Sequence, residues 1–353
     1  MTGVIASKAL EGKRLTEEEG LHLLTRTDLP VLGWLADQVR RRMHPDRRVT
    51  FVVDRNINYT NACVTGCRFC AFYRPPGHAE AYILSREEIF RKIEETLELG
   101  GTQILMQGGL HPDLDLPYFE GLFRAIKDRY PIRIHSLSPV EIDYLSRTSG
   151  LPLETVIRRL AAAGLDSIPG GGAEILVDRV RQSISPRKIG AARWLEVMAA
   201  AHRAGLKTTA TMMFGHVETP EERIAHLEGI RRLQDETGGF TAFIPWSFQP
   251  GNTALGGEPV TAVDYLRTMA VARVYLDNVP NLQVSWVTQG TKIAQIALAF
   301  GANDFGSTML EENVVRAAGV SFSTSLAELV HNIKEAGFQP AQRDNLYNII
   351  RVF

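Results

Sequence analysis

The sequence predicts an α/β fold, a (β/α)8 barrel of the TIM type preceded by an N-terminal helical extension. Eight short runs rich in β-branched and other apolar residues alternate with amphipathic helical segments. The runs are almost continuously apolar, as is typical of parallel strands covered on both faces. Polar residues follow nearly every run, which favours a barrel with one functional mouth over a doubly wound sheet.

The N-terminal extension, residues 1–48, is predicted to be helical. Residues 15–42 form the clearest helical segment, in which Thr16 is a suitable N-cap before three glutamates. Pro30 is expected to divide this segment into two helices, because proline interrupts a helix interior.

The barrel is predicted to cover residues 49–320. Its eight predicted strands lie at residues 49–58, 102–108, 132–138, 164–170, 207–215, 240–248, 282–289 and 304–308. Helix start signals lie between them, including a capping box at Ser85 and Glu88 and an N-cap at Thr219 before proline. The last segment, residues 321–353, is predicted to be one more helix and an ordered tail packed on the barrel.

All three cysteines of the chain, Cys63, Cys67 and Cys70, lie within eight residues. Thiolates so close together favour a soft metal. Structural zinc takes four protein ligands, yet there is no fourth cysteine and the nearest histidine is His78. A disulfide would leave one thiol over. A 4Fe-4S cluster held by three cysteines keeps one iron open to a small molecule, so these residues are the predicted metal ligands.

Composition and charge exclude several classes of function. The 353 residues are 44% apolar and 22% charged, and the net charge of −1 leaves no basic field for nucleic acid or an anionic membrane. No apolar run approaches the length needed to span a bilayer, and the first residues lack the apolar core of a signal peptide. We expect a cytoplasmic protein, since reductants there can reach a metal cluster.

Polar and small residues after the predicted strands are candidates for ligand binding. Gln107, Gly108 and Gly109 follow the second strand, and paired glycines let a backbone approach a ligand closely. Ser136, at the end of the third strand, carries a hydroxyl able to bind a sugar or a carboxylate.

Three further residues are candidates for acid–base chemistry. Glu174 follows three consecutive glycines; it either pairs with Arg179 or Arg181, or binds ribose hydroxyls or accepts a substrate proton. His216 and Glu218 follow the fifth strand, where they form an acid–base pair or anchor substrate. The alternative is a surface histidine and a glutamate that favours the following helix dipole.

The spacing Cys-x3-Cys-x2-Cys, with Phe69 before the last cysteine, resembles the signature of radical S-adenosylmethionine (SAM) enzymes. The resemblance implies that the open iron chelates the methionine moiety of SAM. It also implies reductive cleavage of SAM to a 5′-deoxyadenosyl radical that removes a hydrogen atom from a substrate. The cofactor-binding residues implied in this way are Phe69, Phe72 and Tyr73 around the adenine, Gln107, Gly108 and Gly109 at the amino group, and Ser136 and Glu174.

Further blocks extend the resemblance over nearly the whole chain, among them TQILMQGGLHPDL (102–114), DSIPGGGAEIL (166–176) and STMLEENVVRAAG (307–319). They resemble enzymes of the futalosine route to menaquinone and of deazaflavin-cofactor synthesis, and most closely those that cyclise dehypoxanthine futalosine. The resemblance then implies that the radical removes the ribose C4′ hydrogen and that the carbon radical adds to the attached benzoate ring. Loss of an electron and a proton would give a spirocyclic product.

The implied partners are a small nucleoside substrate and an electron donor such as flavodoxin or ferredoxin. Three alternatives stay open from the sequence. One is the sister reaction of the aminofutalosine synthase type, in which the adenosyl radical itself adds to an enolpyruvyl benzoate. Another is a component of deazaflavin synthase, and the third is a non-catalytic barrel that holds zinc.

Overall fold

Eight parallel strands form a ring in the computed structural model, which describes residues 1–353. They are β1 (Arg48–Val52) continuing into β2 (Asp54–Ile57), β3 (Gln103–Met106), β4 (Arg133–Ser136), β5 (Ser167–Ile168), β6 (Lys207–Phe214), β7 (Phe240–Ser247), β8 (Asn281–Leu282) and β9 (Asp304–Ser307). Two further strands, β10 (Gln339–Arg343) and β11 (Ile349–Val352), lie outside the ring.

The ring closes between its last strand and its first. Strands β2 to β8 form one sheet in chain order, in which every neighbouring pair is parallel. β9 pairs in parallel with β1, where Asp304 is opposite Thr50, and a bridge between Gln283 and Asp304 joins β9 to the end of β8. Because β1 and β2 are separated only by Val53, the two sheets are parts of one barrel. The predicted α/β barrel is confirmed.

Helices cover the outside of the ring, and at least one joins each pair of successive strands. They are α1 (Thr2–Leu10), α2 (Glu17–Arg26), α3 (Leu29–Met43), α4 (Arg86–Glu98), α5 (Leu116–Arg129), α6 (Pro139–Ser149), α7 (Leu153–Ala163), α8 (Asp178–Ile184), α9 (Ala191–Arg203), α10 (Pro220–Thr237), α11 (Ala262–Tyr275), α12 (Trp286–Ala297), α13 (Val314–Ala317) and α14 (Leu326–Glu335). Capping boxes begin α4 at Ser85 and α10 at Thr219. No helix has both the length and the apolar character needed to cross a membrane.

The N-terminal segment is helical and packs on the barrel. The predicted division of residues 15–42 is present, because α2 ends at Arg26 and Pro30 is the second residue of α3. α1 also lies within the extension that was predicted to be helical. One contiguous apolar core extends from Ile5 in α1 to Ile333 in α14. The N-terminal helices therefore share the core of the barrel.

The predicted strand 282–289 is wrong in its second half. β8 ends at Leu282, and α12 begins at Trp286. Short apolar runs such as VSWV fit a buried strand and a buried helix equally well, so periodicity alone does not separate them.

The tail beyond α14 pairs with the first strand of the ring near the amino end of that strand. β10 runs parallel to β1, with Ala341 opposite Thr50. The side chain of Arg343 then forms a buried ion pair with Asp304 of β9, with Nε 2.5 Å from Oδ2. Arg343 therefore contributes to the interior of the barrel, whereas β11 is exposed along its length.

Candidate functional site

The three cysteines lie in the loop that follows β2, at the carboxyl ends of the strands. The backbone amide of Leu110 donates a hydrogen bond to Cys63 Sγ at 3.3 Å. The hydroxyl of Thr65 lies 3.0 Å from Cys63 Sγ and 3.4 Å from Cys67 Sγ. None of the thiols forms a disulfide. Backbone hydrogen bonds from Val64 to Leu110 O and from Arg68 to Ile184 O also hold the loop in place.

A cavity of about 210 Å³ opens beside this loop, and we call it the thiol cavity. Its wall contains all three cysteines and six of the predicted cofactor-binding residues, Phe69, Phe72, Tyr73, Gln107, Gly108 and Gly109. The structure thus brings together residues that the sequence separates by up to 46 positions.

The paired glycines let the loop after β3 pack directly on the cysteine loop. A Cβ at Gly109 would lie 2.1 Å from the carbonyl oxygen of Ala62, and one at Gly108 would lie 2.6 Å from the ring of Tyr59. Both amides are used within the protein, by Thr60 O and by Glu141 Oε1. Neither glycine carbonyl accepts a hydrogen bond from the protein. Two acceptors are therefore free at the thiol cavity.

A lysine that the sequence did not single out lies in the same wall. Lys188 Nζ is 2.7 Å from Glu174 Oε1 and 4.9 Å from the centre of the Phe69 ring. Burial lowers the pKa of Lys188, but the negative charges of Cys67 and Glu174 outweigh this effect, and the net pKa is raised. Lys188 is therefore a cation next to the thiols. Glu174 stands behind it and does not line the cavity.

Glu141 is the second residue that sequence reasoning missed. With Ser138 it forms the capping box of α6, and both residues line the thiol cavity. Its Oε1 accepts hydrogen bonds from Tyr59 Oη at 2.5 Å and from the Gly108 amide at 3.2 Å. Burial raises the pKa of Glu141. The pattern Ser-Pro-Val-Glu at the end of a predicted strand could have identified Glu141 from the sequence. No sequence pattern marks Lys188.

The predicted cofactor-binding residue Ser136 lies away from the thiol cavity. Its hydroxyl donates to Met106 O at 2.8 Å between two strands, and the residue is fully buried. It lines neither the thiol cavity nor the barrel interior, because its hydroxyl is used within the sheet.

The side chains of the predicted acid–base residues His216 and Glu218 lie together and are buried, with His216 Nδ1 3.0 Å from Glu218 Oε2. Glu218 accepts hydrogen bonds from the amides of Gly215 and His216 and pairs with Arg223 at 2.9 Å. His216 Nδ1 accepts from the Val217 amide at 2.7 Å, and its Nε2 lies 3.0 Å from Met213 O. Neither residue lines a cavity beside the thiols or inside the barrel. Their polar atoms stabilise the loop that leads from β6 to α10.

The barrel encloses a second cavity of about 270 Å³, which we call the lumen. Four residues, Gln107, Gly171, Trp246 and Val314, line both the lumen and the thiol cavity, so the two spaces adjoin. One side of the lumen is apolar and aromatic, and it contains Ile244, Trp246, Val284, Trp286, Met309 and Val314.

The residues of the thiol cavity fit an iron–sulfur cluster with an amino acid bound to it. Cysteine thiols are the usual ligands of such clusters. Burial raises the pKa values of Cys67 and Cys70, and Lys188 opposes this at Cys67. The three thiols are not arranged as the ligands of a single ion would be; in a cluster, by contrast, each cysteine binds a different iron. The free glycine carbonyls suit an ammonium group and Lys188 suits a carboxylate.

A barrel whose first strand leads into a three-cysteine loop defines the class of radical SAM enzymes. The sequence profile of the Radical SAM superfamily matches residues 57–230, and that of the CofH/MqnC C-terminal region matches residues 237–352. The chain belongs to the radical SAM superfamily, whose members use a 4Fe-4S cluster and SAM.

Comparison with individual proteins shows which members of this superfamily the chain is similar to. The chain is 48% identical over 351 residues to the cyclic dehypoxanthine futalosine synthase of Halalkalibacterium halodurans. The alignment covers 99% of this chain and 95% of that protein. It is 42% identical over 357 residues to the aminodeoxyfutalosine synthase of Thermus thermophilus. That alignment covers 99% of this chain and 96% of the Thermus protein. The X-ray structure of the FeFe-hydrogenase maturase HydG from Carboxydothermus hydrogenoformans has a TM-score of 0.77 at 18% identity, covering 98% of this chain and 80% of that one. The last similarity shows a shared fold.

Proposed function

We propose that this enzyme converts dehypoxanthine futalosine into cyclic dehypoxanthine futalosine in the futalosine route to menaquinone. The observation that carries the proposal is the 48% identity, over 99% of the chain, to a protein named for that product. The relative named for the sister reaction is 42% identical over the same share of the chain.

In this proposal Cys63, Cys67 and Cys70 hold the 4Fe-4S cluster, and SAM lies in the thiol cavity. The carbonyls of Gly108 and Gly109 accept hydrogen bonds from the SAM ammonium group, and Lys188 pairs with its carboxylate. The rings of Phe69, Phe72 and Tyr73 pack around the adenine, and Gln107 completes the wall. When bound there, the cluster and SAM supply a 5′-deoxyadenosyl radical. Glu174 acts by positioning Lys188, from which it lies 2.7 Å away.

The nucleoside substrate occupies the lumen. Its ribose C4′ hydrogen faces the boundary with the thiol cavity, where Gln107, Gly171, Trp246 and Val314 line both spaces. The benzoate ring packs against the apolar side of the lumen, because aromatic surface gains most from burial there. The wall excludes water and holds the ring next to C4′, so the carbon radical adds to it before other reactions occur. To restore the aromatic ring, the adduct would give one proton to a base and one electron to the oxidised cluster, which would accept it.

An acidic electron donor, such as a flavodoxin or a ferredoxin, is the proposed redox partner. Arg68 and Arg187 are exposed beside the cysteine loop, and neither forms an ion pair. Their guanidinium groups donate to the carbonyls of Ser183 and Val64, the latter within the cysteine loop. Two free cations next to the cluster site complement an acidic surface and would orient the donor toward the cluster.

An anaerobic product assay tests the proposal. Reconstituted protein should convert SAM and dehypoxanthine futalosine into the cyclic product with release of free 5′-deoxyadenosine, and it should contain about four iron and four sulfide per chain. The Cys67→Ser variant is the control and should contain little iron and form no product. Adenosine carbons in the product of an enolpyruvyl benzoate would instead show the sister reaction. One zinc and no iron per chain would show a non-catalytic metal site.

A further inference from the structure

The amino end of the lumen is closed by polar side chains for which the proposed reaction gives no role. We call this set the lumen floor, and it consists of Asp54, Gln103, His135, Ser307, Arg343, Asn345 and Tyr347. Three of the seven come from the C-terminal tail, beyond the ring of strands. Gln103 begins β3 and Gln107 follows its end, so the floor lies about 13 Å from the boundary with the thiol cavity.

Three buried polar atoms of the lumen floor have no hydrogen-bond partner. They are Gln103 Oε1, Asn345 Oδ1 and Tyr347 Oη. The amide nitrogens of the first two are used, since Gln103 Nε2 donates to Asp54 Oδ2 at 2.6 Å and Asn345 Nδ2 donates to Ser167 Oγ at 3.1 Å. Gln103 and Asn345 are only 5% and 7% exposed. The two amide oxygens are therefore acceptors available to a group that donates hydrogen bonds, and the Tyr347 hydroxyl can donate or accept one.

The charges of the lumen floor favour a neutral ligand over an anion. The guanidinium of Arg343 is matched by Asp304, with contacts of 2.5 and 3.0 Å. His135 lies 2.7 Å from Ser167 Oγ, and burial lowers its pKa to about 3, so it adds no positive charge. Asp54 is a further carboxylate. No unpaired cation is therefore present to hold a carboxylate.

We propose that the lumen floor is the subsite for a neutral, hydroxyl-bearing ring of the substrate, and that Gln103 Oε1 and Asn345 Oδ1 accept hydrogen bonds from vicinal hydroxyls. That this ring is a furanose rests on the proposed function. The C1′ and C2′ hydroxyls lie across the furanose from C4′, so a ring whose C4′ faces the thiol cavity turns those hydroxyls toward the floor. The C-terminal tail is then a determinant of substrate specificity.

Combining variants with substrate analogues tests this proposal. Binding of dehypoxanthine futalosine and of its 2′-deoxy analogue is measured by calorimetry on cluster-loaded wild type, Asn345→Ala and Gln103→Ala. Loss of one hydrogen bond should weaken binding of the analogue to wild type about tenfold. At least one variant should bind both compounds equally, about tenfold more weakly than wild type binds the substrate. Gln339→Ala, an exposed position of β10, is the matched control and should behave as wild type.

Two results would overturn the assignment. Equal loss of affinity for both compounds in each variant would show a purely structural role. The second result uses an analogue in which hydrogen replaces the carboxylate of the benzoate ring. If the variants bind the substrate more weakly than wild type does but bind this analogue as wild type does, the floor binds the carboxylate instead. Wild type is assayed for the cyclic product in parallel. Product formation together with either result refutes the floor alone, and absence of product refutes the proposed function as well.

Discussion

Lys188 Nζ lies 2.7 Å from Glu174 Oε1, and this buried ion pair places the one cation of the thiol cavity wall next to the cysteines. The second oxygen of Glu174 has no hydrogen-bond partner, and Arg181 is 4.0 Å away from it. Glu174 also has a φ of 42°, in the left-handed region that residues other than glycine rarely adopt. The loop therefore accepts a strained backbone and a buried charge in order to orient the lysine.

Lys188→Met should weaken SAM binding to the cluster-loaded enzyme by 10- to 100-fold, because a charge-assisted hydrogen bond contributes about 1.5–3 kcal/mol. The variant also leaves Glu174 buried without its partner, at a cost of about 3–5 kcal/mol in unfolding free energy. The double variant Lys188→Met/Glu174→Gln should recover stability without recovering affinity. Calorimetry and urea unfolding measure the two effects.

The exposed Lys207 on β6 provides the control for this pair. Lys207→Met should bind SAM as wild type does. If Lys188→Met does so too, the assignment of Lys188 to the SAM carboxylate is wrong.

Gly109→Ala should prevent assembly of the cluster site. The new methyl group would lie 2.1 Å from Ala62 O and 2.8 Å from Cys63 Cβ, and both atoms belong to the cysteine loop. Displacing backbone costs more than displacing a flexible side chain, so we expect at least about 3 kcal/mol of destabilisation of the loop. Iron and sulfide per chain, measured after anaerobic reconstitution, should fall to less than half of the wild-type values.

Gly229→Ala is the matched control for that substitution. Its Cβ would meet nothing closer than 3.9 Å, within helix α10. It should keep the full iron content and raise stability by up to about 1 kcal/mol. Full iron content in Gly109→Ala would contradict the proposed packing of the two loops.

The sequence predicted those parts of the site that depend on local patterns. The cysteine spacing and the Gly-Gly pair lie on single loops, and the structure places both at the thiol cavity. The lumen floor could not be predicted in this way. Asn345 and Tyr347 reach the lumen because β10 pairs with β1 across nearly 300 positions, and no local pattern encodes that pairing.

Three predicted site residues line neither cavity, for a different physical reason. His216 and Glu218 follow a strand at the mouth of the barrel, as active-site residues do. Position along the chain does not reveal side-chain direction, however, and the nearby backbone amides needed acceptors. Both side chains accept hydrogen bonds from those amides, because buried polar groups almost always have a hydrogen-bond partner. For the same reason, the hydroxyl of Ser136 donates its hydrogen bond to a carbonyl within the sheet.

His216→Gln and Glu218→Gln should therefore change stability and leave the chemistry intact. Glu218→Gln weakens a buried contact to Arg223, so we expect a loss of about 3 kcal/mol in unfolding free energy. Formation of cyclic product per cluster-loaded chain should stay within about twofold of wild type at saturating substrate. A hundredfold loss of product with normal SAM binding in either variant would restore the predicted catalytic role.

Stability should fall as the pH drops below about 6.5, because two buried histidines are neutral in the folded state. Burial lowers the pKa values of His135 and His226 to about 3, whereas an unfolded histidine titrates near 6.5. Below pH 6.5 each histidine binds a proton more readily in the unfolded chain than in the folded protein. The free energy of unfolding therefore falls progressively between pH 6.5 and about pH 3. At pH 5 each should have cost about 2 kcal/mol of unfolding free energy.

His226→Asn isolates one of these contributions, since Asn Oδ1 can replace the Nδ1 that accepts from the Leu176 amide at 3.0 Å. Between pH 6 and 4 the variant should lose about 1.4 kcal/mol per pH unit less than wild type, as expected for one proton fewer. His331→Gln alters an exposed side chain and should give a curve parallel to that of wild type. Urea unfolding followed by circular dichroism at each pH measures the slopes. Identical slopes for His226→Asn and wild type would mean that His226 is protonated in the folded protein or is not buried.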